Sequence, residues 1–342
     1  MMNSIRKALI VGGGNIRIIP IFFLISISST LKAWAGSFPE KFNVQTFTCK
    51  ETWGAKGCEP HNITADLYVP KTSEKVPLVI LQHGSSGVSN AVLAKVELLI
   101  KNKYSVAVID GFSSRGISKS HFDYVAAASK GGNGRTMTLD ALSTMKALER
   151  DKRIDVERTA IVGFSQGGLI SYWAKSQTFL NIHATPLLGS FIMPKLVVSM
   201  YGCNSEFNES FNFNHLAIEI MIGDKDPTLK KCIEFKNRLS QFGLGPEIKI
   251  NILPNAEHSF DEKYPSKLWG KNQDTASCYF ILKSDGSVEN PIIGRKYHKG
   301  EYNYAVGAHD CTKLGERAGN NGNPHIGDMP LISSLDAHLR QK

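Results

Sequence analysis

The stretch Ile161-Val162-Gly163-Phe164-Ser165-Gln166-Gly167-Gly168 sets a serine between glycines directly after a β-branched run. The pattern G-x-S-x-G is typical of a tight turn from a strand into a helix, which holds the serine in strained backbone angles. Glycines two residues before and after the serine are needed because side chains there would collide. The turn lifts the hydroxyl above the sheet, and the first N–H groups of the helix point towards it. Three fixed letters also coincide by chance, so the flanking sequence has to decide what the serine does.

Short apolar runs alternate with helical patterns on both sides of this turn. Residues 78–81 and 105–109 form largely apolar runs, typical of strands that are buried on both faces of a parallel sheet. Apolar residues recur at helical spacing over 92–100 and 137–148. Strands are predicted at residues 44–48, 63–69, 78–81, 105–109, 159–162, 195–200, 216–222 and 248–252, the first two as an antiparallel pair. This order predicts an α/β fold with helices flanking a mostly parallel, twisted sheet.

The alternation ends after Asp261, where glycine, asparagine and lysine become common. We expect residues 261–342 to form an irregular C-terminal extension that closes with a helix over 329–340. No internal repeat and no clear linker interrupts the chain, so residues 36–342 are predicted to form a single domain.

Residues 1–35 are predicted to be a cleaved signal peptide. Arg6, Lys7 and Arg17 precede an apolar run over 18–27, and Ala33-Trp34-Ala35 places small residues at the two positions that a signal peptidase reads. An uncleaved membrane anchor is the alternative, although an apolar run of this length falls short of the ~20 residues that span a bilayer. We therefore expect an exported protein, periplasmic or secreted, without stable membrane insertion after cleavage.

The charge of the chain argues against a nucleic-acid partner. The full sequence of 342 residues carries a formal net charge of +9. Four basic residues and no acidic residue lie in the predicted signal peptide, so the charge of the mature chain falls to +5. No block of basic residues is interleaved with aromatic residues, as a nucleic-acid surface would require. The hydrophobic content of 42% is that of an ordinary globular protein.

The cysteines of the chain number six, all of them after the predicted cleavage site. In an exported protein an even count favours disulfides over a metal site, and no C-x-x-C pair occurs. Six cysteines allow fifteen pairings. The preferred pairs are neighbours in sequence, Cys49 with Cys58, Cys203 with Cys232, and Cys278 with Cys311, while free buried thiols remain the alternative.

Nucleophilic catalysis by a serine needs a base that takes its proton and an acid that orients the base. Candidates for the acid and the base each follow a predicted strand. One strand ends in the segment Gly223-Asp224-Lys225-Asp226-Pro227, and the next strand is followed shortly by His258. Asp226 is preferred over Asp224, because a carboxylate three residues past the glycine has left the strand and can turn towards a histidine. An aspartate before proline also often caps a turn. The predicted catalytic set is Ser165, Asp226 and His258.

The charge that develops on the carbonyl oxygen of a substrate needs two N–H donors. One is expected from Gln166, the residue after the serine. The other is expected from Ser85 in the glycine loop Gln82-His83-Gly84-Ser85-Ser86-Gly87. His83 itself is expected to be structural, with its ring bonded into this loop.

Arg115 lies on a predicted loop, residues 112–116, that should border the same crevice. It is a candidate for binding an acidic group of the substrate, and the alternative is an arginine that holds local carbonyls or an ion pair. Aromatic candidates for an acyl pocket are Trp53, Phe207, Phe211 and Phe213, although aromatic residues more often belong to the core.

Five segments together resemble the dienelactone hydrolase family of α/β-hydrolases. They are Leu81-Gln82-His83-Gly84-Ser85-Ser86-Gly87, Asp110-Gly111-Phe112-Ser113-Ser114-Arg115-Gly116, Gly163-Phe164-Ser165-Gln166-Gly167-Gly168, Gly223-Asp224-Lys225-Asp226-Pro227 and His258-Ser259-Phe260-Asp261. The resemblance implies an α/β-hydrolase fold and hydrolysis of esters or lactones, with Ser165, Asp226 and His258 as the triad and no cofactor. The name-giving enzymes use cysteine as the nucleophile, whereas the serine here favours the broader serine-esterase members.

The sequence therefore predicts an exported serine hydrolase that cleaves small-molecule carboxylic esters or lactones. An oligopeptidase-like amidase would use the same triad, and a ligand-binding protein would keep the hydrolase fold without turnover. No cofactor and no metal are expected, and the sequence leaves the oligomeric state open.

Overall fold

The structure is a computed structural model that describes residues 39–49, 57–118, 124–203, 205–207, 217–241, 248–274, 277–298, 301–302, 310–311 and 313–340. The predicted signal peptide lies outside the described residues, as do Trp53, Phe211 and Phe213. The division of the chain into a cleaved segment and one domain therefore stays a prediction.

The strands of the described residues are, in chain order, β1 (Glu40–Cys49), β2 (Cys58–Tyr68), β3 (Val76–Gln82), β4 (Ser105–Asp110), β5 (Ile154–Phe164), β6 (Leu196–Met200), β7 (Ser205–Phe207), β8 (Ala217–Gly223), β9 (Ile248–Leu253), β10 (Lys267–Asp274), β11 (Phe280–Leu282), β12 (Val288–Asn290), β13 (Arg295–Tyr297) and β14 (Lys313–Ala318). Eight of them form one sheet in the order β1-β2-β4-β3-β5-β6-β8-β9. β1 pairs with β2 and β2 with β4 antiparallel, and the other neighbours are parallel. The predicted fold class is confirmed.

The helices of the described residues are α1 (Asn90–Lys101), α2 (Tyr124–Ser129), α3 (Gly134–Leu148), α4 (Gln166–Ser171), α5 (Gln177–Phe179), α6 (Thr185–Leu188), α7 (Leu229–Gln241) and α8 (Asp328–Leu339). Shorter helical turns cover Ser113–Arg115, Tyr172–Lys175 and Leu180–Ala184. Within the described part of the chain, none of the helices combines the length and apolar character needed to cross a bilayer.

The sheet is covered on both faces, as the largely apolar sequence of its central strands requires. All seven residues of β3 are buried. Its alternate side chains point to opposite faces, so Leu78 and Ile80 pack in the cluster that includes α3, while Val79 and Leu81 pack with α1 and α8. The carboxyl ends of the parallel strands therefore meet at one edge, where the turns after β3, β5, β8 and β9 emerge.

The C-terminal extension contains short strands that the sequence did not predict. β10 pairs antiparallel with β14, and a second small sheet has the order β13-β12-β11-β7. β11, β12 and β13 have three residues each and are too short to show a period of two, which is why the sequence looked irregular at these strands. The closing helix is present as α8.

Disulfides join Cys49 to Cys58, Cys203 to Cys232 and Cys278 to Cys311, and no cysteine is free. These are the three pairs of neighbouring cysteines that the sequence analysis preferred. The second bond links the segment after β6 to α7, and the third closes a loop within the extension.

Candidate active site

Ser165 lies in the sharp turn between β5 and α4. Its backbone has φ +50° and ψ −114°, a strained combination for a residue with a side chain. The turn is held at both sides of the residue, because the Ser165 N–H donates to the Met200 carbonyl at 2.9 Å and the Leu169 N–H donates to the Ser165 carbonyl at 2.8 Å. A side chain at Gly163 would collide with the Gly167 carbonyl, and one at Gly167 would collide with the backbone of β3. The glycine pattern thus has the steric cause that the sequence suggested.

His258 lies within hydrogen-bonding distance of both Ser165 and Asp226. The distance from Ser165 Oγ to His258 Nε2 is 2.9 Å, and that from His258 Nδ1 to Asp226 Oδ2 is also 2.9 Å. Since a carboxylate can only accept, Nδ1 carries the proton and Nε2 is left to accept from the serine hydroxyl. The side chain of His258 is 14% exposed and that of Asp226 0%, while Ser165 is half-buried. The carboxylate is shielded from water, and the serine remains accessible.

The two candidate acids, Asp224 and Asp226, occupy different environments. Asp226 is buried, and its second oxygen accepts from the Thr228 N–H at 2.8 Å and from the Thr228 hydroxyl at 2.6 Å. Asp224 is exposed, and its Oδ1 accepts from the Ala256 N–H at 3.1 Å. Asp226 therefore contacts the histidine, and Asp224 holds the turn beside it.

The glycine loop after β3 lies against the serine turn. A Cβ placed on Gly84 would be 3.2 Å from the Ser165 Cβ and 2.8 Å from the Phe164 carbonyl oxygen, so the two backbones approach closely here. Ser85 follows Gly84 and is half-buried. Gln166 is the first residue of α4, where a backbone N–H has no acceptor within the helix. Both candidate oxyanion residues thus belong to segments that adjoin Ser165.

His83 is part of the framework of this loop. Its ring is fully buried, its Nδ1–H donates to the Gly84 carbonyl at 2.7 Å, and its ring centroid is 4.4 Å from that of Phe112. This is the structural role expected from the sequence.

The side chain of Arg115 is buried and paired with Asp140. Its guanidinium is buried and makes a bidentate contact with Asp140, with Nη1 at 2.8 Å and Nη2 at 2.9 Å. The remaining donors bind the Gly111 carbonyl at 2.6 Å and the Thr48 hydroxyl at 2.8 Å. These partners occupy donors of Arg115 in the way expected of the alternative, an arginine that holds local carbonyls and an ion pair, and the role in substrate binding stays a prediction.

No group of three or more His, Cys, Asp or Glu side chains could hold a metal ion in the part of the chain that the structure describes. Phe207, a candidate for the acyl pocket, belongs to β7.

The family model of the dienelactone hydrolases, described as "Dienelactone hydrolase family", matches residues 63–279. The match covers more than half of the chain and includes all three residues of the Ser165–His258–Asp226 contact. The chain belongs to the dienelactone hydrolase family. It is accordingly a hydrolase of the α/β-hydrolase superfamily, and the family is one of ester and lactone hydrolases. The resemblance noted in the sequence is confirmed.

Solved structures similar to this family member share little sequence with it. A Klebsiella pneumoniae protein assigned as a dienelactone hydrolase is 17% identical, with a TM-score of 0.45, over 65% of this chain and 89% of that chain. A dienelactone hydrolase-like promiscuous phosphotriesterase from metagenomic libraries is 13% identical, with a TM-score of 0.42, over 66% and 86%. An esterase of Pyrococcus furiosus is 15% identical, with a TM-score of 0.44, over 66% and 86%. No curated protein matches the sequence.

Tyr201, which the sequence did not single out, lies beside the candidate base His258. Its ring centroid is 5.0 Å from that of His258 and 5.2 Å from that of Phe260, in edge-to-face arrangements. Its backbone has φ +45°, and its N–H donates to the Met221 carbonyl at 2.8 Å. The one available signal was its position directly after a buried strand, the same signal that pointed to Asp226 and His258.

The hydroxyl of Tyr201 is anchored in a buried polar cluster. It donates to Asp261 Oδ1 at 2.9 Å, and Asp261 Oδ2 lies 3.5 Å from Lys95 Nζ. Lys95 Nζ also contacts Asp328 Oδ1 at 2.6 Å. Burial, followed by the Asp261 carboxylate, raises the pKa of Tyr201 well above its usual value. The phenol therefore stays a neutral donor and holds its ring beside the imidazole.

Proposed function

We propose that the chain is an exported serine hydrolase that cleaves carboxylic esters or lactones through an acyl-enzyme intermediate. The observation that carries the proposal is the pair of 2.9 Å contacts that link Ser165, His258 and Asp226. The strained turn at Ser165 and the family membership support it independently. The substrate is a small molecule, and the residues in hand need no cofactor for this chemistry.

Acylation begins with attack of Ser165 Oγ on the carbonyl carbon of the ester. The hydroxyl proton passes to His258 Nε2, which the 2.9 Å contact places within transfer distance. Asp226 holds the Nδ1–H and stabilises the imidazolium that forms. The negative charge on the substrate oxygen is stabilised by the N–H groups of Gln166 and Ser85.

Collapse of the tetrahedral intermediate breaks the bond to the alkoxide. His258 Nε2–H gives its proton to the leaving oxygen, which leaves the acyl group on Ser165 Oγ. Water then attacks the acyl carbon as His258 takes its proton, and the second tetrahedral intermediate releases the acid and restores the serine hydroxyl. A lactone follows the same course, with the alcohol and acid remaining in one product.

Export is supported by the disulfides, since three bonds and no free thiol are typical of an oxidising compartment. We expect the secreted or periplasmic protein to begin at Gly36. An intact mass of the mature protein measures this, and a mass that retains residues 1–35 would contradict the proposed cleavage.

The replacement Ser165→Ala tests the proposed nucleophile. We expect kcat for a short-chain p-nitrophenyl ester to fall by about four orders of magnitude or more, because the attacking oxygen is removed. A fluorophosphonate probe should label the native protein at Ser165 and leave the variant unlabelled. A matched anilide substrate measures amide cleavage and separates an esterase from the amidase alternative.

The control is Ser240→Ala, because Ser240 is exposed and its hydroxyl donates to the Lys236 carbonyl within α7. This variant should keep the activity and the labelling of the native protein. Native activity in Ser165→Ala, with an unchanged circular dichroism spectrum, would contradict the assignment.

A further inference from the structure

The loop that carries His258 is paired along its length with a segment of the C-terminal extension. We call residues 255–266 the histidine loop and residues 317–321 the C-terminal strap. The Gly319 N–H donates to the His258 carbonyl at 2.9 Å, and Ala318 forms a parallel bridge with His258. The backbone of the base itself is therefore held by the strap.

Asn320 makes the densest set of contacts within the strap. Its side-chain Nδ2 donates to the Glu262 carbonyl at 2.7 Å and to the Tyr264 carbonyl at 2.9 Å. Its backbone N–H donates to the Tyr264 carbonyl at 3.1 Å, and its carbonyl accepts from the Ser266 N–H at 2.8 Å. One residue thus satisfies two carbonyls and one N–H group of a loop that has no regular secondary structure of its own.

The two ends of the strap also bind the histidine loop. Asn321 Nδ2 donates to the Asn255 carbonyl at 2.8 Å, three residues before the base. Arg317 Nε donates to Glu257 Oε1 at 3.0 Å, and Arg317 Nη2 donates to the Ser266 hydroxyl at 3.1 Å. The contacts therefore bracket His258 on both sides along the chain.

The strap lies beyond the part of the chain that matches the family. That match ends at residue 279, and the strap is joined to it by the Cys278–Cys311 disulfide and by the pairing of β14 with β10. The opposite side of the histidine loop rests on the body of the fold, where Asp261 lies 3.5 Å from Lys95 of α1. The loop is thus held between α1 and the extension.

We propose that the C-terminal strap is a positioning element for the general base and that Asn320 is its central positioning residue. The inference rests on the proposed serine hydrolase function. Asn320 acts through the backbone of the histidine loop, which keeps His258 Nε2 in reach of Ser165 Oγ. Proton transfer depends steeply on this geometry, since a misplacement of about 1 Å can lower a rate about 100-fold.

The test is Asn320→Asp, an isosteric change that replaces the donating Nδ2 with an oxygen. It keeps the Oδ1 that accepts from the Gly322 N–H at 3.0 Å, so the local turn is preserved. We expect kcat for a p-nitrophenyl ester to fall about 10- to 100-fold with KM within about twofold. Amide hydrogen exchange should become faster in the peptide that spans residues 255–266.

The matched control is Asn102→Asp at the C-terminal end of α1. Asn102 Nδ2 donates to the Leu98 carbonyl at 2.8 Å, so the same donor is lost at a part-buried site away from the histidine loop. This variant should lose thermal stability while keeping its kcat and the exchange rates of residues 255–266. An equal fall of kcat in the control would overturn the positioning role.

If the native protein is an active esterase and the folded Asn320→Asp variant keeps the kcat of the native protein, the positioning role of Asn320 is overturned while the proposed function stands. A native protein that neither turns over esters nor reacts with a fluorophosphonate would overturn the proposed function and, with it, the catalytic role of the strap. If Asn320→Asp does not fold, the exposed Asn321→Ala replaces it. A fall of about threefold in its kcat is then expected, and an unchanged kcat would overturn the inference.

Discussion

Asp224 and Asp226 are two residues apart, yet they meet opposite environments. The carboxylate of Asp226 is closed off by Thr228 and His258, while that of Asp224 is exposed and accepts from the Ala256 N–H. A buried carboxylate that accepts the imidazole Nδ1–H fixes the tautomer of the ring. At the scale of the residue, the burial of the side chain and the partner that it faces, rather than the residue type, separate the candidate acid Asp226 from Asp224.

Asp226→Asn should lower kcat by about four orders of magnitude, because an amide can donate to Nδ1 and so favours the wrong tautomer. Asp224→Asn is the matched comparison and should keep kcat within about threefold, since its Oδ1 still accepts from the Ala256 N–H. Steady-state kinetics on a p-nitrophenyl ester measure both variants. Equal losses in the two would contradict the assignment of Asp226.

At the scale of the elements, the Arg115–Asp140 pair joins three parts of the fold. Arg115 follows β4, Asp140 lies on α3, and Thr46 of β1 donates to Asp140 Oδ1 at 2.9 Å. Burial, opposed by the Arg115 guanidinium, raises the pKa of Asp140 above its usual value. Removal of the guanidinium would therefore leave a buried carboxylate without its counter-charge.

Arg115→Gln should lower the free energy of unfolding by about 3 kcal/mol or more, because it breaks a buried pair. Arg153→Gln is the control, since the side chains of Arg153 and Glu40 are 45% and 54% exposed. The free energy of unfolding of this variant should fall by less than about 1 kcal/mol. Urea unfolding gives both values. If Arg115→Gln raised KM without lowering stability, the arginine would bind substrate after all.

At the scale of the whole molecule, buried basic groups make stability depend on pH. His183 is fully buried, and burial, followed by the charge of Arg135, lowers its pKa to about 2. The folded state keeps the imidazole neutral, whereas the unfolded chain takes up a proton below its ordinary value of 6.5. Since the unfolded state binds more protons, stability is lost as the pH falls below this value.

Between pH 7 and pH 5 the free energy of unfolding of the native protein should fall by about 2 kcal/mol more than that of His183→Phe. The reason is that the variant lacks the imidazole that the unfolded chain protonates. Urea unfolding of the native protein and the variant at the two pH values measures the difference. An identical pH dependence in the two proteins would contradict the buried neutral histidine.

The sequence predicted most of the central sheet because its signals are local. The apolar runs over 78–81 and 105–109 became β3 and β4, and the strand before Ser165 became β5. The chain order of the candidate nucleophile, acid and base could also be read from the sequence, since each follows a strand. The sequence did not predict the short strands of the extension or the ring contact between Tyr201 and His258, because these features depend on partners far away in sequence.

What the sequence determined by itself is the glycine-framed turn at Ser165, since the steric exclusion of a side chain at Gly163 acts against Gly167, four residues along the chain. It also determined the α/β order and the family, because these rest on motifs along the chain. Tertiary structure decided that Asp226 rather than Asp224 meets His258, that Arg115 pairs with Asp140, and that the C-terminal strap binds the histidine loop. The physical reason is that each of these depends on burial and on hydrogen bonds between segments that only the folded sheet brings together.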